Sequence, residues 1–260
     1  MIRQKVLSGQ AFDEEFVFDI HGHFGTLVDF QIVNGDTTSI VSTLDRLGVN
    51  GMAMSSLVSL HSDCHLGNQL LQEAICQFPD KLYGYVTVSP WVEDITLDQY
   101  FGKENSNMVG MKIHAADYGS AINDKRYLPY LEYADKKGLP VLFHTWEVVD
   151  IIYIAQLAEQ FRNARFIMAH SAMRSYAVKQ EVVKAVRKFE NIFVDTTISV
   201  AYDGAIEWIV SQIGADRVLY GSDLPFYDCR FVLGKVGLCR LSDSDKLKIL
   251  GGNARKLLFG

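Results

Sequence analysis

Several function classes are excluded by what the chain lacks. Only four of its 260 residues are cysteines, Cys64, Cys76, Cys229 and Cys239, and no two form a Cys-x-x-Cys pair. A disulfide scaffold and a structural zinc knot are thereby excluded, and reduced thiols packed as small hydrophobes in a cytoplasmic protein are expected. Positive charge is in deficit: 25 Lys and Arg stand against 31 Asp and Glu, a formal net charge of -6. With no basic stripe either, a nucleic-acid surface is excluded. No apolar run approaches the roughly 20 residues that a membrane helix needs. Met1-Ile2-Arg3-Gln4-Lys5 is not followed by the apolar stretch of a secretory signal. No linker, low-complexity segment or repeat splits the sequence, so residues 1–260 are read as one domain. The expected partners are small molecules or further copies of the chain in a homo-oligomer.

What is present is a regular alternation. Hydrophobic residues make up 48% of the chain and charged ones 22%, enough for a large core and too apolar for disorder. Short β-rich runs are expected as strands over Val17–His21, Gly51–Ser56, Tyr83–Val88, Val109–His114, Pro140–Thr145, Phe166–His170, Ile192–Thr197 and Val218–Asp223. Amphipathic segments predict helices over Thr38–Leu47, Gly67–Phe78, Leu97–Gly102, Tyr127–Lys137, Val149–Phe161, Val178–Phe189, Ala205–Ile213 and Asp245–Leu258. Arg46-Leu47-Gly48 and Lys136-Lys137-Gly138 end helices in the expected way, a cation followed by glycine. Strands alternating with helices imply a parallel sheet, and runs such as Val141-Leu142-Phe143 are apolar on both faces, as a covered sheet requires. Eight units in this length predict a TIM-like (β/α)8 barrel, a fold that typically takes about 250 residues. An open doubly wound sheet would normally carry a glycine-rich phosphate loop after its first strand, and here that strand ends in histidines.

Those histidines lie in Asp19-Ile20-His21-Gly22-His23. Along an extended strand, residues two apart share a face, so His21 and His23 project together. In a barrel, catalytic residues sit at the C-terminal strand ends. His114 ends the fourth strand two residues after Lys112, and His144 ends the fifth. His170 ends the sixth, Asp195 lies near the end of the seventh, and Asp223 ends the eighth. Five of the seven histidines thus converge on one mouth. A buried ring of imidazoles and carboxylates is costly unless a metal or mutual hydrogen bonds compensate the desolvation. Neutral imidazoles with one carboxylate suit zinc, with manganese, iron or cobalt as alternatives.

The order His21-x-His23, His144, His170 and Asp223 resembles the amidohydrolase superfamily. The words Gly110-Met111-Lys112-Ile113-His114, Gly138-Leu139-Pro140-Val141-Leu142-Phe143-His144-Thr145, Tyr220-Gly221-Ser222-Asp223-Leu224-Pro225-Phe226 and Asn253-Ala254-Arg255-Lys256-Leu257-Leu258 are similar to its amidohydrolase-2 branch. That branch includes aminocarboxymuconate semialdehyde decarboxylase. The resemblance covers essentially the whole chain. It implies one divalent metal, with zinc first, on His21, His23, His144 and Asp223, and His170 beside it as an acid/base or polarising group. It also raises a second arrangement, in which a carboxylated Lys112 bridges two metals that His144 and His170 help to bind; an unmodified Lys112 pairing with a substrate carboxylate is preferred. The sequence departs from the branch at Ser171-Ala172-Met173-Arg174, where many relatives carry glycines.

Around the mouth, Arg174, Arg126 and Arg230 are weaker candidates for clamping a carboxylate. Trp146 and Phe226 are candidate pocket walls, His61 and His114 candidate substrate contacts, and Asp195 a candidate partner for a ligand histidine. His65 is expected to begin a helix, and the connection from Phe24 to Asp36 is expected to form a lid. The first functional expectation is a metal-dependent hydrolase, with Asp223 and His170 catalytic, acting on a lactone, ester or amide of a small anionic molecule. The alternative is a decarboxylase of a small unsaturated or aromatic acid, and the third a catalytically inactive binding barrel.

Overall fold

The computed structural model describes residues 1–27, 30–92, 95–102, 107–170, 175–197 and 202–260. Eight strands, β1 Phe18–Phe24, β2 Gly51–Ser56, β3 Leu82–Thr87, β4 Met108–Ile113, β5 Pro140–Phe143, β6 Arg165–Met168, β7 Ile192–Asp195 and β8 Val218–Leu219, follow one another in the sheet in chain order. All neighbouring pairs are parallel. The last strand meets the first: Ile20 N donates to Tyr220 O at 2.9 Å, Asp223 N to His21 O at 2.8 Å and His23 N to Leu224 O at 2.7 Å. The fold is the expected (β/α)8 barrel.

The principal covering helices are α2 Thr37–Leu47, α4 Cys64–Gln77, α5 Leu128–Lys137, α6 Val148–Gln160, α7 Tyr176–Lys188 and α8 Ala205–Ile213, with α1 Ile2–Ser8 ahead of the barrel and the short α3 Leu57–His61 after β2. Helix α2 starts where Asp36 accepts from Ser39 N at 2.8 Å and stops at Gly48, whose φ of 72° only glycine adopts freely. Gly138 ends α5 in the same way, with φ 66°.

Three expectations need correction. Leu97–Gly102 is not a full helix but one 3₁₀ turn, Leu97–Gln99, and it follows β3. The expected helix Asp245–Leu258 is interrupted: α10 Asp243–Leu247 passes through a π turn at Lys248–Gly252 into α11 Asn253–Phe259. A cause is visible at Gly251, where a Cβ would lie 2.1 Å from Phe16 O, so the chain passes here against β1's leading segment. Helix α9 Cys229–Leu238, between β8 and α10, was not anticipated. Cys64 and Cys229 are buried as expected, whereas Cys76 is exposed and Cys239 half-buried.

The core has two layers, as alternation along covered strands demands. Val141, Phe143, Phe166 and Met168 pack outward against helix residues such as Leu131 and Ile154. Phe18, Ile20, Tyr85, Leu142, Ile167 and Leu219 fill the interior, with Ala254 and Leu257 of α11 joining that layer. Alternation fails at one place. Between Asp19 and Gly22, β1 advances three residues while β2 advances two, Met52 to Met54. This bulge adds one residue at the point where side chains must turn from packing to chemistry.

Candidate metal centre

Beyond the bulge, His21 and His23 face the same mouth, their ring centroids 5.2 Å apart. Gly221 lies against them so closely that a Cβ there would stand 2.9 Å from His21 Cβ. At the ends of β6 and β8 the backbone turns sharply: His170 has φ 55° and Asp223 φ 64°, a left-handed conformation that non-glycine residues seldom adopt. Two hydrogen bonds hold these turns, His170 N to Asp195 Oδ1 at 3.2 Å and Asp223 N to His21 O at 2.8 Å.

The outcome is a buried cluster. Ligating atoms of His21, His170 and Asp223 lie within 4.8 Å of one another, the one such group of histidine, cysteine and acidic residues among the described residues. His23 Nε2 is 3.2 Å from Asp223 Oδ1, and His21 Nε2 is 3.7 Å from the same oxygen. His144 stands at the edge: its ring is 4.9 Å from that of His170 and stacks on His114 at 3.9 Å and 28°. The geometry therefore draws His170 into the innermost group and leaves His23 and His144 just outside it.

Each inner ring is oriented from behind. His21 Nδ1 is 2.7 Å from Asp195 Oδ2. Thr197 Oγ1 donates to Asp195 Oδ1 at 2.7 Å, so it accepts from His170 Nδ1 at 2.8 Å. Ser55 Oγ is 3.0 Å from His23 Nδ1. A carboxylate only accepts, so the proton on His21 sits at Nδ1, and the same holds for His170 through Thr197. Their Nε2 lone pairs are left for another acid, the pattern behind metal-binding imidazoles. Asp195, expected as a partner of one histidine, orients two.

Electrostatics favour the same arrangement. Burial pushes the imidazoles of His21, His23, His144 and His170 below the usual histidine range, which keeps each ring neutral with one nitrogen lone pair free. Burial would raise Asp223, but the His23 hydrogen bond and the adjoining imidazoles outweigh it and hold the carboxylate ionised, well below its ordinary range. Lys112, fully buried, has Nζ 3.1 Å from His21 Nε2; burial lowers its pKa to about 8 against the pull of Asp223, Asp195 and Asp117. Neutral nitrogens and one carboxylate, with His21, His23 and His170 tied from behind, fit a divalent cation.

Aromatic rings frame the mouth. Trp146 stands edge-on to His170 at 5.4 Å, and Phe226 lies 5.5 Å from His23 and 5.0 Å from Phe30. Phe30 comes from the expected lid, whose ends are pinched by Gly25 N donating to Gly35 O at 2.7 Å. His65 lies in α4, one residue after its start, and His61 ends α3 with Nδ1 3.0 Å from Asp117 Oδ2. The arginines do not converge. Arg126 pairs with Asp124 and lies 3.7 Å over the Trp91 ring, while Arg230 pairs with Asp228. Arg174 and the departure at 171–174 lie outside the described residues. Sequence reasoning missed Ser55, Thr197, Asp117 and Asp19. Of these, Asp19 stands two residues before His21 and receives His21 N at 3.1 Å and Ser222 N at 3.0 Å.

A (β/α)8 barrel with imidazoles and a carboxylate gathered at the C-terminal strand ends defines the class as a metal-dependent barrel enzyme. The amidohydrolase family profile, Amidohydro_2, matches residues 18–260, so the chain belongs to that family. No curated protein is detectably similar in sequence. Solved structures share the fold. A 2,6-dihydroxybenzoate decarboxylase from Rhizobium is 16% identical, with a TM-score of 0.75 and coverage of 94% of this chain and 98% of that one. A 5-carboxyvanillate decarboxylase from Novosphingobium aromaticivorans, complexed with manganese and 4-hydroxy-3-methoxy-5-nitrobenzoic acid, is 13% identical, with a TM-score of 0.74 and coverage of 95% and 97%. A 4-oxalomesaconate hydratase from Rhodopseudomonas palustris is 17% identical, with a TM-score of 0.69 and coverage of 94% and 95%.

Proposed function

We propose that the protein is a metal-dependent, non-oxidative decarboxylase of a small aromatic carboxylic acid. The observation that carries this reading is the juxtaposition of Lys112 Nζ, beside His21 Nε2, with the aromatic edges of Trp146 and Phe226 on the same mouth. A planar anion fits such a frame. Two decarboxylases of aromatic acids with the same fold support the choice over hydrolysis, which the ligand set alone would serve equally well.

His21, His170 and Asp223 would hold one divalent cation, with His23 and His144 completing the set. When bound, that ion acts as a Lewis acid toward the substrate's oxygen atoms. Manganese is as suitable as zinc for this donor set, and a decarboxylase of the same fold was solved with manganese. Lys112 orients the substrate carboxylate, while Trp146 and Phe226 flank the ring and exclude water. Asp223, once protonated, delivers its proton to the ring carbon that bears the carboxylate. The proton is drawn from solvent water, and the carboxylate takes up another after each turnover, which accounts for the hydrogen left on the arene. The bond to the carboxylate carbon then breaks, its electron pair returns to the ring, and carbon dioxide leaves. His170, adjacent to Asp223 and held through Nδ1 by Thr197, would fix the cation's place beside the substrate's oxygen atoms. A lowered Lys112 pKa also favours the free amine that reacts with carbon dioxide, so a carboxylated Lys112 with two metals is the second reading.

The test is a panel of aromatic acids, lactones, esters and amides presented to manganese- and zinc-loaded protein. Carbon dioxide release with stoichiometric decarboxylated arene is expected. Hydrolysis without any carbon dioxide overturns the proposal. Metal analysis giving two ions per chain selects the carboxylated-lysine arrangement.

A further inference from the structure

We propose that His61, Asp117 and His114 form a specificity subsite that accepts a hydrogen bond from a hydroxyl substituent on the aromatic acid. The aromatic ring itself rests on the decarboxylase reading; the subsite rests on side chains which that reading leaves unused. Two segments converge to build it: the end of α3 with His61, and the stretch after β4 with His114 and, three residues on, Asp117. Asp117 Oδ2 lies 3.0 Å from His61 Nδ1 and 2.9 Å from His114 Nδ1. The buried Nδ1 of His114 makes no aligned hydrogen bond among the described residues, so the Asp117 carboxylate acts on it by its charge across 2.9 Å.

One carboxylate oxygen facing two Nδ1 atoms has a definite chemical consequence. Since a carboxylate can only accept, it stabilises the tautomer with hydrogen on Nδ1 in both rings. Each Nε2 is then a lone-pair acceptor. A hydroxyl is complementary to such an atom, whereas a methoxy group of similar polarity, having no proton to give, is not. Asp117 is thus a positioning residue, and the two rings are the contacts.

Placement links the cluster to the candidate metal centre. His114 stacks on His144 at 3.9 Å, and His144 continues the tier to Trp146 at 5.6 Å and to His170 at 4.9 Å. The side chains of His61 and Asp117 are each 26% exposed and both residues lie at the surface, so a ligand can reach them. A second metal is not the better occupant, because these three residues do not form a ligating group among the described residues.

The test uses manganese-loaded protein and calorimetric binding of benzoate, the three monohydroxybenzoates and their methoxy counterparts. At least one hydroxybenzoate should bind about tenfold more tightly than its methoxy counterpart, the scale of one well-formed hydrogen bond. In Asp117→Ala nothing holds hydrogen on either Nδ1, so that ratio should fall toward one while benzoate changes less than about twofold. His61→Ala, at the more exposed end, should lower the ratio without altering manganese content. A ratio near one in the native protein, a ratio that survives both substitutions, equal losses for benzoate and hydroxybenzoate, or failure of every benzoate to bind overturns the subsite. Discrimination of this kind without carbon dioxide release from any acid sustains the subsite and removes the decarboxylase reading.

Discussion

The carboxylate of Asp195 offers a severe test of how the centre is organised. Oδ1 accepts from Thr197 Oγ1 at 2.7 Å, Thr197 N at 3.1 Å and His170 N at 3.2 Å, while Oδ2 faces His21 Nδ1 at 2.7 Å. Asp195→Asn is nearly isosteric, yet its two ends are not equivalent. The amide oxygen must take the side with three donors, which turns the amide N–H group toward His21 Nδ1. Two donors cannot face each other, so His21 moves its proton to Nε2, the atom directed at Asp223. Loss of such an orienting group typically costs ten- to a hundredfold in metal affinity, or about 1.4–2.8 kcal/mol. The fold should survive, since burial already pushes Asp195 above the usual carboxylate range and a neutral amide avoids that penalty. The assay is competition for manganese or zinc against a chromogenic chelator, paired with melting of the metal-free protein. Thr197→Val, which removes the acceptor at His170 and one of three donors to Asp195 Oδ1 but leaves Oδ2 facing His21, should lose less. Affinity within twofold of native in Asp195→Asn, with melting unchanged, would refute the proposition that the tautomer of His21 governs the centre.

Two further substitutions examine the floor and the wall of the site. Among the described residues Oδ2 of the fully buried Asp19 has no partner, and burial raises its pKa from 3.8 to about 7. Between those values the folded state retains a proton that the unfolded chain releases, so stability falls as pH rises, by up to about 1.4 kcal/mol per unit. The stability of Asp19→Asn relative to native, from urea unfolding of metal-free protein, should therefore increase from pH 4.5 to pH 7.5; parallel profiles would contradict the assignment. In Gly221→Ala the new methyl stands 2.9 Å from His21 Cβ, so either His21 or the β8 turn must shift. Overpacking of this kind costs about 1–3 kcal/mol, and metal affinity should fall together with the melting temperature. A variant that melts lower but binds metal normally would show that the centre tolerates movement of β1.

The barrel was legible because its signals are local and repeated. Val141-Leu142-Phe143 needs only alternation to read as a strand with both faces covered, and Gly138 needs only its place after two lysines to read as a helix end. What failed to show was set by distant contacts. Within Asp245–Leu258 only the Gly251-Gly252 pair hints at a break, and its visible cause is Phe16 O against Gly251, more than two hundred residues away in sequence. The two-residue β8 is short for a related reason: beyond Leu219 the chain leaves regular pairing to reach the left-handed turn at Asp223.

The same division runs through the site. Histidines and an aspartate at strand ends can be counted in the sequence, and the structure gathers them at one mouth. Their hierarchy cannot be counted. Whether His144 or His170 stands innermost depends on which ring is held, and Thr197 holds His170 while His144 leans on His114. Thr197 carried no signal, since a threonine after a strand is more often packing or solvent contact than a relay between a carboxylate and an imidazole. Asp117 was hidden for the same reason, lying in a loop with no period of its own. Chemistry-bearing residue types therefore mark where the centre lies, whereas the orientation of its rings is set by Asp195, Thr197 and Ser55, ordinary residues whose role exists only after the barrel has closed.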